Sequence, residues 1–208
     1  MRIRSPSVIP KCRDDTRWAL RSLLASLTVA ILFNLGSPTD TRAQTYRGKV
    51  VDAETGQPLE GAVFVIVWDK KPFITMDGPE YFHSAKEVLT DAKGEFSVDG
   101  SPGIDLNPFT YITKNPSVAI FMPGYGPFPV GHVKEMPLGE MIKAMTGVGA
   151  VIKLPKLKTQ QEMRRYTGPE NLRISTGTPY EEIPNLIRLM NIQRKLAGYS
   201  DFYKEPAR

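Results

Sequence analysis

A continuous run of seven apolar residues, 62–68, constrains the fold of this chain more than any other feature. The run reads AVFVIVW, and all but the first of its members are β-branched or aromatic. A segment of this length and composition is typical of a strand that is buried on both faces. The chain must therefore place the run inside a sheet and cover that sheet on both sides.

Other short apolar runs, separated by turn residues, precede and follow this one. They lie at residues 46–51, 86–90, 95–98, 118–121, 128–133 and 150–154. Short strands at such spacing, about seven over roughly 110 residues, predict an all-β sandwich. The runs at 86–90 and 95–98 are predicted to form a hairpin, with Gly94 as its left-handed residue. Residues 70–84 are predicted to be a long loop or a distorted edge strand, and residues 100–115 to be irregular.

Two motifs in this region carry a resemblance to a known family. Residues 48–65 read GKVVDAETGQPLEGAVFV, and residues 90–96 read TDAKGEF. They resemble the G-x-V-x-D-x-x-T-G-x-P-L-x-G-A-x-V opening and the T-D-x-x-G-x-F turn of carboxypeptidase regulatory-like domains. FMPGY at 121–125 is similar to the F-x-P-G-Y segment of bacterial members. The resemblance implies a seven-stranded Greek-key β-sandwich of the transthyretin-like type, which is generally non-catalytic.

The residue types in these motifs suit such a sandwich. Gly48 permits a close approach by a neighbouring strand or side chain, and Gly56 and Gly94 can take positive φ. The side chains expected in the core are Leu59, Val63, Val65 and Phe96, with Val50, Ile66, Ile120 and Val151 as companions.

The first 43 residues are predicted to be a secretory signal peptide. A basic start precedes an apolar stretch at 23–35, and Thr41-Arg42-Ala43 offers a small-residue exit, so cleavage is expected after Ala43. An uncleaved membrane anchor is the alternative, although the stretch is short for a span. We therefore expect an exported protein, periplasmic or extracellular, which meets the membrane only if the leader is uncleaved.

Two regions follow the predicted leader. Residues 44–158 are predicted to form the β-sandwich, and residues 159–208 a helical extension. Thr159 and Glu162 have the spacing of a capping box for a short helix that Gly168 can end. A second helix is expected near residues 179–197, provided that Pro184 lies in its first turn or restarts it. Its apolar stripe, too narrow to form a core alone, should pack on the sandwich or on a partner; the stripe comprises Ile183, Leu186, Ile187, Met190 and Leu196.

Several kinds of chemistry have no support in the sequence. Seven of the 27 basic residues lie in the leader, which leaves 20 basic against 19 acidic residues, so nucleic-acid binding is not expected. The single cysteine, Cys12, also lies in the leader. Only two histidines, His83 and His132, are present, and a metal site would need both of them with Glu87. We expect no catalytic residue, no resident metal and no cofactor.

One feature does suggest a binding role. Aromatic residues cluster in the two segments without clear periodicity and could form a surface that contacts a partner protein or stacks on sugar rings. The alternative is that these rings simply cover the edge of the sandwich. The residues are Trp68, Phe73, Tyr81, Phe82 and Tyr111, with Phe109 beside them.

These observations favour a non-catalytic interaction module of the bacterial cell envelope with a protein partner. A carbohydrate-binding domain that uses Trp68, Phe73, Tyr81 and Phe82 is the alternative, with a polysaccharide as its ligand. A hydrolase or peptidase-associated protein is a third hypothesis, which rests on the family name alone.

Overall fold

The computed structural model describes residues 44–74, 78–129, 138–147, 149–175 and 177–206. Contacts divide the chain into two units, Met1–Arg42 and Ala43–Arg208, and all described residues belong to the second. The predicted signal peptide, its alternative as an anchor and His132 lie outside the described residues. Among the residues described, no helix has the length and apolarity needed to cross a membrane.

The second unit is mostly β, with two sheets, as the sequence predicts. Its described residues form seven strands: β1 (Thr45–Asp52), β2 (Val63–Pro72), β3 (Tyr81–Leu89), β4 (Glu95–Asp99), β5 (Thr110–Ile112), β6 (Ser117–Phe121) and β7 (Ala150–Leu154). Sheet A has the order β4-β1-β7, in which β1 is antiparallel to β4 and parallel to β7. Sheet B has β2 at its centre, with β3 on one side and both β6 and β5 on the other.

The central strand β2 is buried on both faces, and this confirms the prediction from its composition. Because side chains alternate along a strand, one set of β2 residues faces sheet A and the other faces away from it. The set toward sheet A comprises Phe64, Ile66 and Trp68; the set on the opposite face comprises Val63, Val65 and Val67.

Two hydrophobic cores result. Among the predicted core residues, Val50, Leu59, Ile66, Phe96 and Ile120 lie between the sheets, and Val63 and Val65 lie in the core on the other face of sheet B. Gly48 allows the close packing expected of it, because a Cβ there would come 2.7 Å from the Ala150 carbonyl oxygen. The prediction for Val151 is wrong: its side chain is 60% exposed, because Ala150 and Ile152 take the inward positions of β7.

The predicted hairpin between residues 86–90 and 95–98 is also wrong. Strand β3 pairs with β2 in sheet B, whereas β4 pairs with β1 in sheet A. The turn between them therefore crosses from one sheet to the other. Gly94 has the positive φ expected of it, +74°, and its carbonyl accepts a hydrogen bond from the Val50 N–H at 2.8 Å. This bond continues the ladder between β1 and β4, whose nearest pair is Lys49 with Glu95.

The two segments predicted to be irregular contain regular structure. In the first, β2 runs on to Pro72 and β3 begins at Tyr81. The pairing shifts between Trp68 and Asp69, where β3 advances two residues for one of β2, so that His83 is the extra residue. Strand β3 with its shifted pairing corresponds to the distorted edge strand predicted for residues 70–84. Residues 75–77 lie outside the described part. In the second segment, β5 pairs with the end of β2.

The part of the unit that the structure describes also contains three α-helices: α1 (Leu138–Thr146), α2 (Gln160–Arg164) and α3 (Pro184–Leu196). Helix α1 was not predicted; its Met145 is buried in the core between the sheets. The capping box of α2 is confirmed, with Thr159 and Glu162 bonding each other's backbone N–H. Helix α2 ends before the predicted Gly168, which instead precedes a 3₁₀ turn, Pro169–Leu172. Pro184 is the first residue of α3, where a proline is tolerated.

Helix α3 packs on the face of sheet B that points away from sheet A. Leu186, Ile187 and Met190 are fully buried there, together with Ile183, as the predicted stripe requires. Leu196 is an exception, because it is about half exposed. Of the two expectations for the extension, packing on the sandwich is the one observed.

Glu87 and Gln193 provide polar links between the extension and the sandwich. The carboxylate of Glu87 on β3 accepts the N–H groups of Asn185 and Leu186 at 2.6 and 3.0 Å. It thus takes the place of an N-cap side chain, because the side chain of the N-cap residue, Ile183, makes no capping hydrogen bond. The buried Gln193 accepts the N–H of Gly124 at 2.7 Å and donates to the carbonyl of Met163 at 3.0 Å.

Candidate binding surface

The structure separates the aromatic residues that the sequence grouped together. Trp68 is only 3% exposed and packs in the core between the sheets, so a ligand cannot reach it. Phe82 is partly buried against the core beneath α3. The prediction of a surface role is therefore wrong for Trp68, which lies in the interior, whereas Phe82 is partly buried and partly accessible. Phe73, Tyr81 and Tyr111 are exposed.

The exposed aromatic residues lie at one end of sheet B, which we call the tip: residues 70–74, 81–82 and 104–112. At the tip, Lys70 pairs with Tyr81 on one side and with Ile112 on the other. The last pair between β1 and β4 is Thr45 with Asp99. Ser84 of β3 donates a hydrogen bond to the carbonyl of Pro102, three residues past that pair. The tip therefore extends beyond the part of sheet B that sheet A covers.

Seven large apolar side chains at the tip are between 38% and 89% exposed, and we call them the tip patch. They are Phe73, Ile74, Tyr81, Ile104, Leu106, Phe109 and Tyr111. A soluble monomer rarely exposes a contiguous apolar patch larger than a few hundred Å². This concentration of exposed apolar side chains is the least ordinary feature of the described surface.

Backbone contacts and ring packing link three members of the patch, Phe73, Phe109 and Tyr111. The N–H of Phe73 donates to the carbonyl of Phe109 at 2.9 Å, which joins the segments on either side of the tip. The rings of Phe73 and Tyr111 lie 5.3 Å apart and are tilted by 37°. The side chain of Asn107 accepts the N–H of Phe109 at 3.0 Å and shapes the turn before β5. Tyr81 is separate from these three residues: it pairs with Lys70, whereas Tyr111 pairs with Lys71, so the two tyrosine side chains lie on opposite faces of sheet B.

The charges at the tip are paired within the chain. Lys71 lies 2.9 Å from Glu80, and Lys70 lies 3.8 Å from Asp105. The Thr110 hydroxyl and the Asn107 N–H hold the pKa of Asp105 below its ordinary value, so that this carboxylate stays ionised at neutral pH. Tip and patch together therefore offer an apolar surface whose neighbouring charges are already neutralised.

Two polar groups close to the tip lack hydrogen-bond partners among the described residues. Asp69 is 5% exposed, and its Oδ1 atom has no partner; the same is true of Nε2 of His83. Burial raises the pKa of the Asp69 carboxyl, a hydrogen bond from Ser175 lowers it, and Glu80 raises it further.

The structure also bears on the metal site considered for His83, Glu87 and His132. Both oxygens of Glu87 already accept N–H groups of α3. Within the described ranges, no three His, Cys, Asp or Glu side chains are arranged to hold a metal ion. The hypothesis thus loses one of its three ligands to a structural role.

A concavity of about 650 Å³ lies on the outer face of sheet A. Its lining includes the cations Arg47 and Lys49 and the carboxylates of Asp91 and Glu95. Asp91 is engaged in its own turn, where it accepts the N–H groups of Lys93 and Glu95. This mixed and open surface does not select a class of ligand.

Sequence reasoning missed three members of the tip patch. Ile74, Ile104 and Leu106 are aliphatic residues scattered among Gly, Asp, Asn and Pro, where no periodicity assigns them to a face. The available signal was their position: large aliphatic residues in loops that contain few other apolar residues have little to pack against. Searches of protein-family models, of curated proteins and of solved structures found no match to the chain.

Proposed function

We propose that this chain is an exported, non-catalytic binding module of the bacterial cell envelope that attaches to a protein partner through the tip patch. The observation that most supports this proposal is the tip patch itself, which consists of seven exposed apolar side chains. Nearby, Lys70 pairs with Asp105 and Lys71 pairs with Glu80. Exposed apolar patches of this kind are typical of sites of protein association. The apolar segment at 23–35 supports export, as argued from the sequence.

The family assignment belongs to the same proposal. The motifs at 48–65 and 90–96 support a carboxypeptidase regulatory-like domain with transthyretin-like, Greek-key strand connections. The turn from β3 to β4, which crosses between the sheets, is compatible with such connections. Domains of this type are generally accessory, which agrees with the proposal that the chain works by binding.

A polysaccharide is the alternative ligand, and one observation favours it. The exposed Phe73 and Tyr111 rings lie side by side, 5.3 Å apart, as a sugar-stacking platform could. Three further features favour a protein instead: the aliphatic members of the patch, the burial of Trp68, and the pairing of the nearby charged groups that would otherwise bond to sugar hydroxyls. A Tyr111→Trp variant would provide the fluorescence signal at the patch that Trp68 cannot. No change on titration with cell-wall and plant polysaccharides would reject this alternative.

The test of the main proposal is site-specific photocrosslinking in the cell envelope. A photoreactive amino acid replaces Tyr111 in the patch or, as a matched control, the exposed Lys93 at the opposite end of the sandwich. We expect protein adducts from position 111 only, and we expect them to disappear when Ile104 and Leu106 are both changed to Ser. Equal adducts from positions 93 and 111, or adducts indifferent to those changes, would reject the patch as the binding surface.

A further inference from the structure

We infer that helix α3 carries a groove for an extended peptide, and that the C-terminal end of this chain fills the groove as a displaceable strap. The strap is residues 201–206. Its ligand class is a protein segment that presents a tyrosine between two acidic residues at alternate positions, as the strap does. The inference goes beyond the proposed function, because none of the residues that carry it belongs to the tip patch. The groove consists of Tyr180, Asn191, Arg194 and Tyr199.

The strap runs back along α3 in the opposite direction. Gly198, with a φ of +79°, makes the turn after the helix. Asp201 then bonds to Arg194, near the end of the helix, and Glu205 lines a small cavity with Arg188, nearer its start. The strap thus follows α3 for about two helical turns, although its own residues form neither helix nor strand.

The groove binds the main chain of the strap. The side-chain amide of Asn191 donates to the carbonyl of Tyr203 at 3.0 Å, and its oxygen accepts the N–H of the same residue at 2.8 Å. Nε of Arg194 donates to the carbonyl of Asp201 at 2.8 Å. Main-chain hydrogen bonds of this kind give affinity for an extended peptide whatever its side chains.

The tyrosine is the strap residue that the groove selects. Tyr203 packs against the core beneath α3, and its ring meets that of Tyr180 edge to face, with the centroids 5.6 Å apart. Its neighbours Phe202 and Lys204 are exposed, because an extended chain presents only every second side chain to one side. Burial, and after it the carboxylate of Glu170, raises the pKa of Tyr203, so the groove holds a neutral hydroxyl.

The two acidic residues of the strap contribute less than its tyrosine. Asp201 pairs with the Arg194 guanidinium, but the Asp201 side chain remains 75% exposed. Glu205 accepts a hydrogen bond from the Asn191 amide at 3.1 Å and is also exposed. An ion pair this exposed contributes little to affinity. The tyrosine and the main chain should therefore supply most of the binding, and the acidic residues a smaller preference.

The groove is positioned by parts of the chain other than the strap. The Arg194 guanidinium lies 4.7 Å from the centre of the Tyr199 ring and donates to the carbonyl of Thr167 at 3.4 Å. Asn191 belongs to α3, whose opposite face is buried on sheet B. A site that is already ordered loses less entropy when it binds a peptide.

The strap itself is held weakly enough to leave. Four of its six residues are exposed, and the other two, Tyr203 and Pro206, are only partly buried. A chain end with so few buried groups opens locally at a lower free energy than the whole fold. Its departure would leave the side-chain amide of Asn191 and Nε of Arg194 without these partners, and an equivalent segment would restore the same bonds.

The experiment measures the binding of a fluorescent peptide with the sequence of residues 199–206. The receptor is residues 44–208, which form one compact unit, either unchanged or with Asp201→Ala and Tyr203→Ala in the strap. We expect the strap variant to bind the peptide. The unchanged chain should bind it at least about 10-fold more weakly, because its tethered strap competes at a local concentration on the order of millimolar. A peptide that carries Tyr203→Ala should also lose at least about 10-fold in affinity.

A matched pair of changes in α3 tests the groove. Arg194→Gln in the strap variant removes a donor to the strap and should weaken peptide binding by at least about 5-fold. Lys195→Gln removes the exposed cation at the next position and should leave binding unchanged. Circular dichroism would check that each variant is folded.

Hydrogen exchange in the unchanged chain provides a measurement that needs no variant. Residues 201–206 should exchange through an opening that leaves residues 186–193 protected. The inference would be overturned if a folded strap variant did not bind the peptide, if both receptors bound it equally, or if the strap exchanged only together with α3. A chain that dimerised by exchanging straps between copies would also overturn it. None of these results bears on the tip patch, so this inference and the proposed function can fail separately.

Discussion

Asp69 is a residue whose ionised side chain lowers the free energy of unfolding. Its carboxyl is almost fully buried beside the tip, with one oxygen unpartnered, and burial raises its pKa. A carboxyl whose pKa is higher in the folded than in the unfolded chain destabilises the fold once it ionises. The fold is therefore more stable at acid pH, below the pKa of the unfolded chain, where the carboxyl is neutral. This extra stability is lost as the pH rises through the pKa of the folded chain.

Replacing Asp69 by Asn should stabilise the protein at neutral pH, because the neutral amide removes the buried charge. We expect Tm at about pH 7 to rise by about 2–4 °C, the equivalent of about 1 kcal/mol. The gain should shrink as the pH falls through the raised pKa of the folded chain and should be absent below about 4, where the carboxyl is neutral in both the folded and the unfolded chain. Thermal unfolding followed across pH checks this, and a gain that does not depend on pH would contradict the electrostatic explanation.

Gln193 is the clearest case of a polar residue that the fold requires. Its side chain is fully buried and bonds to both Gly124 and Met163. A Gln193→Leu change leaves an N–H and a carbonyl unsatisfied, so we expect a loss of about 2–4 kcal/mol in the free energy of unfolding. Urea denaturation measures it. The exposed Gln161→Leu on α2 is the control and should cost less than about 0.5 kcal/mol.

Residue-level predictions held where burial did not depend on the direction in which a side chain points. The buried members of β2 were predicted correctly because every position of an interior strand is covered, whichever way it points. Val151 was assigned to the core because it is apolar, although its place in β7 directs it to the uncovered face of sheet A. For Trp68 the error was the reverse, because its place beside irregular residues suggested a surface position.

At the scale of elements, strand existence was easier to predict than strand pairing. Residues 86–98 have the pattern of a hairpin, but β4 pairs with β1, almost fifty residues earlier in the chain. Nothing local distinguishes the two arrangements, since the deciding bond joins Gly94 to Val50. Helix α1 was missed for a related reason: its residues gain their burial from strands that are distant in sequence.

The start of α3 is the element boundary that depends most on a distant residue. Glu87 supplies the carboxylate that accepts the first free N–H groups of the helix, where a negative charge is also favourable for the helix dipole. Glu87→Ala should therefore cost about 1–2 kcal/mol. Hydrogen exchange should become faster at residues 185–188.

A matched control identifies the cause. Glu95→Ala removes an exposed carboxylate from β4 and should leave exchange in α3 unchanged. Equal effects of the two variants would show that Glu87 contributes general charge and not a cap.

For the whole molecule, the order of layers is sheet A, sheet B and then the helical extension. Removal of residues 159–208 would uncover the face of sheet B that carries Val63, Val65, Val67, Ala119 and Phe121. We expect the truncated chain to aggregate or to bind the dye ANS strongly, whereas a chain that ends at residue 203 should not. A truncated protein that stays soluble with unchanged stability would show that the sandwich does not need the extension.

The sequence predicted the two-sheet architecture and three of the exposed side chains at the tip. Phe73, Tyr81 and Tyr111 were assigned to the surface from their aromatic character and their irregular surroundings. The aliphatic half of the tip patch was not predicted, because its residues come from separate loops that only the β2–β5 pairing brings together. Sequence patterns describe neighbours along the chain, whereas this surface is made by neighbours across a sheet.

The cap on α3 also implies a delay during synthesis, because Glu87 is made well before the helix that it caps. Asn185 follows its partner Glu87 by 98 residues, and synthesis at about 5–20 residues per second separates their appearance by roughly 5–20 s. During that interval the apolar outer face of sheet B has no helix to cover it. The nascent chain therefore exposes apolar surface that α3 covers in the folded protein. A chaperone that binds exposed apolar surface would be most useful at this stage.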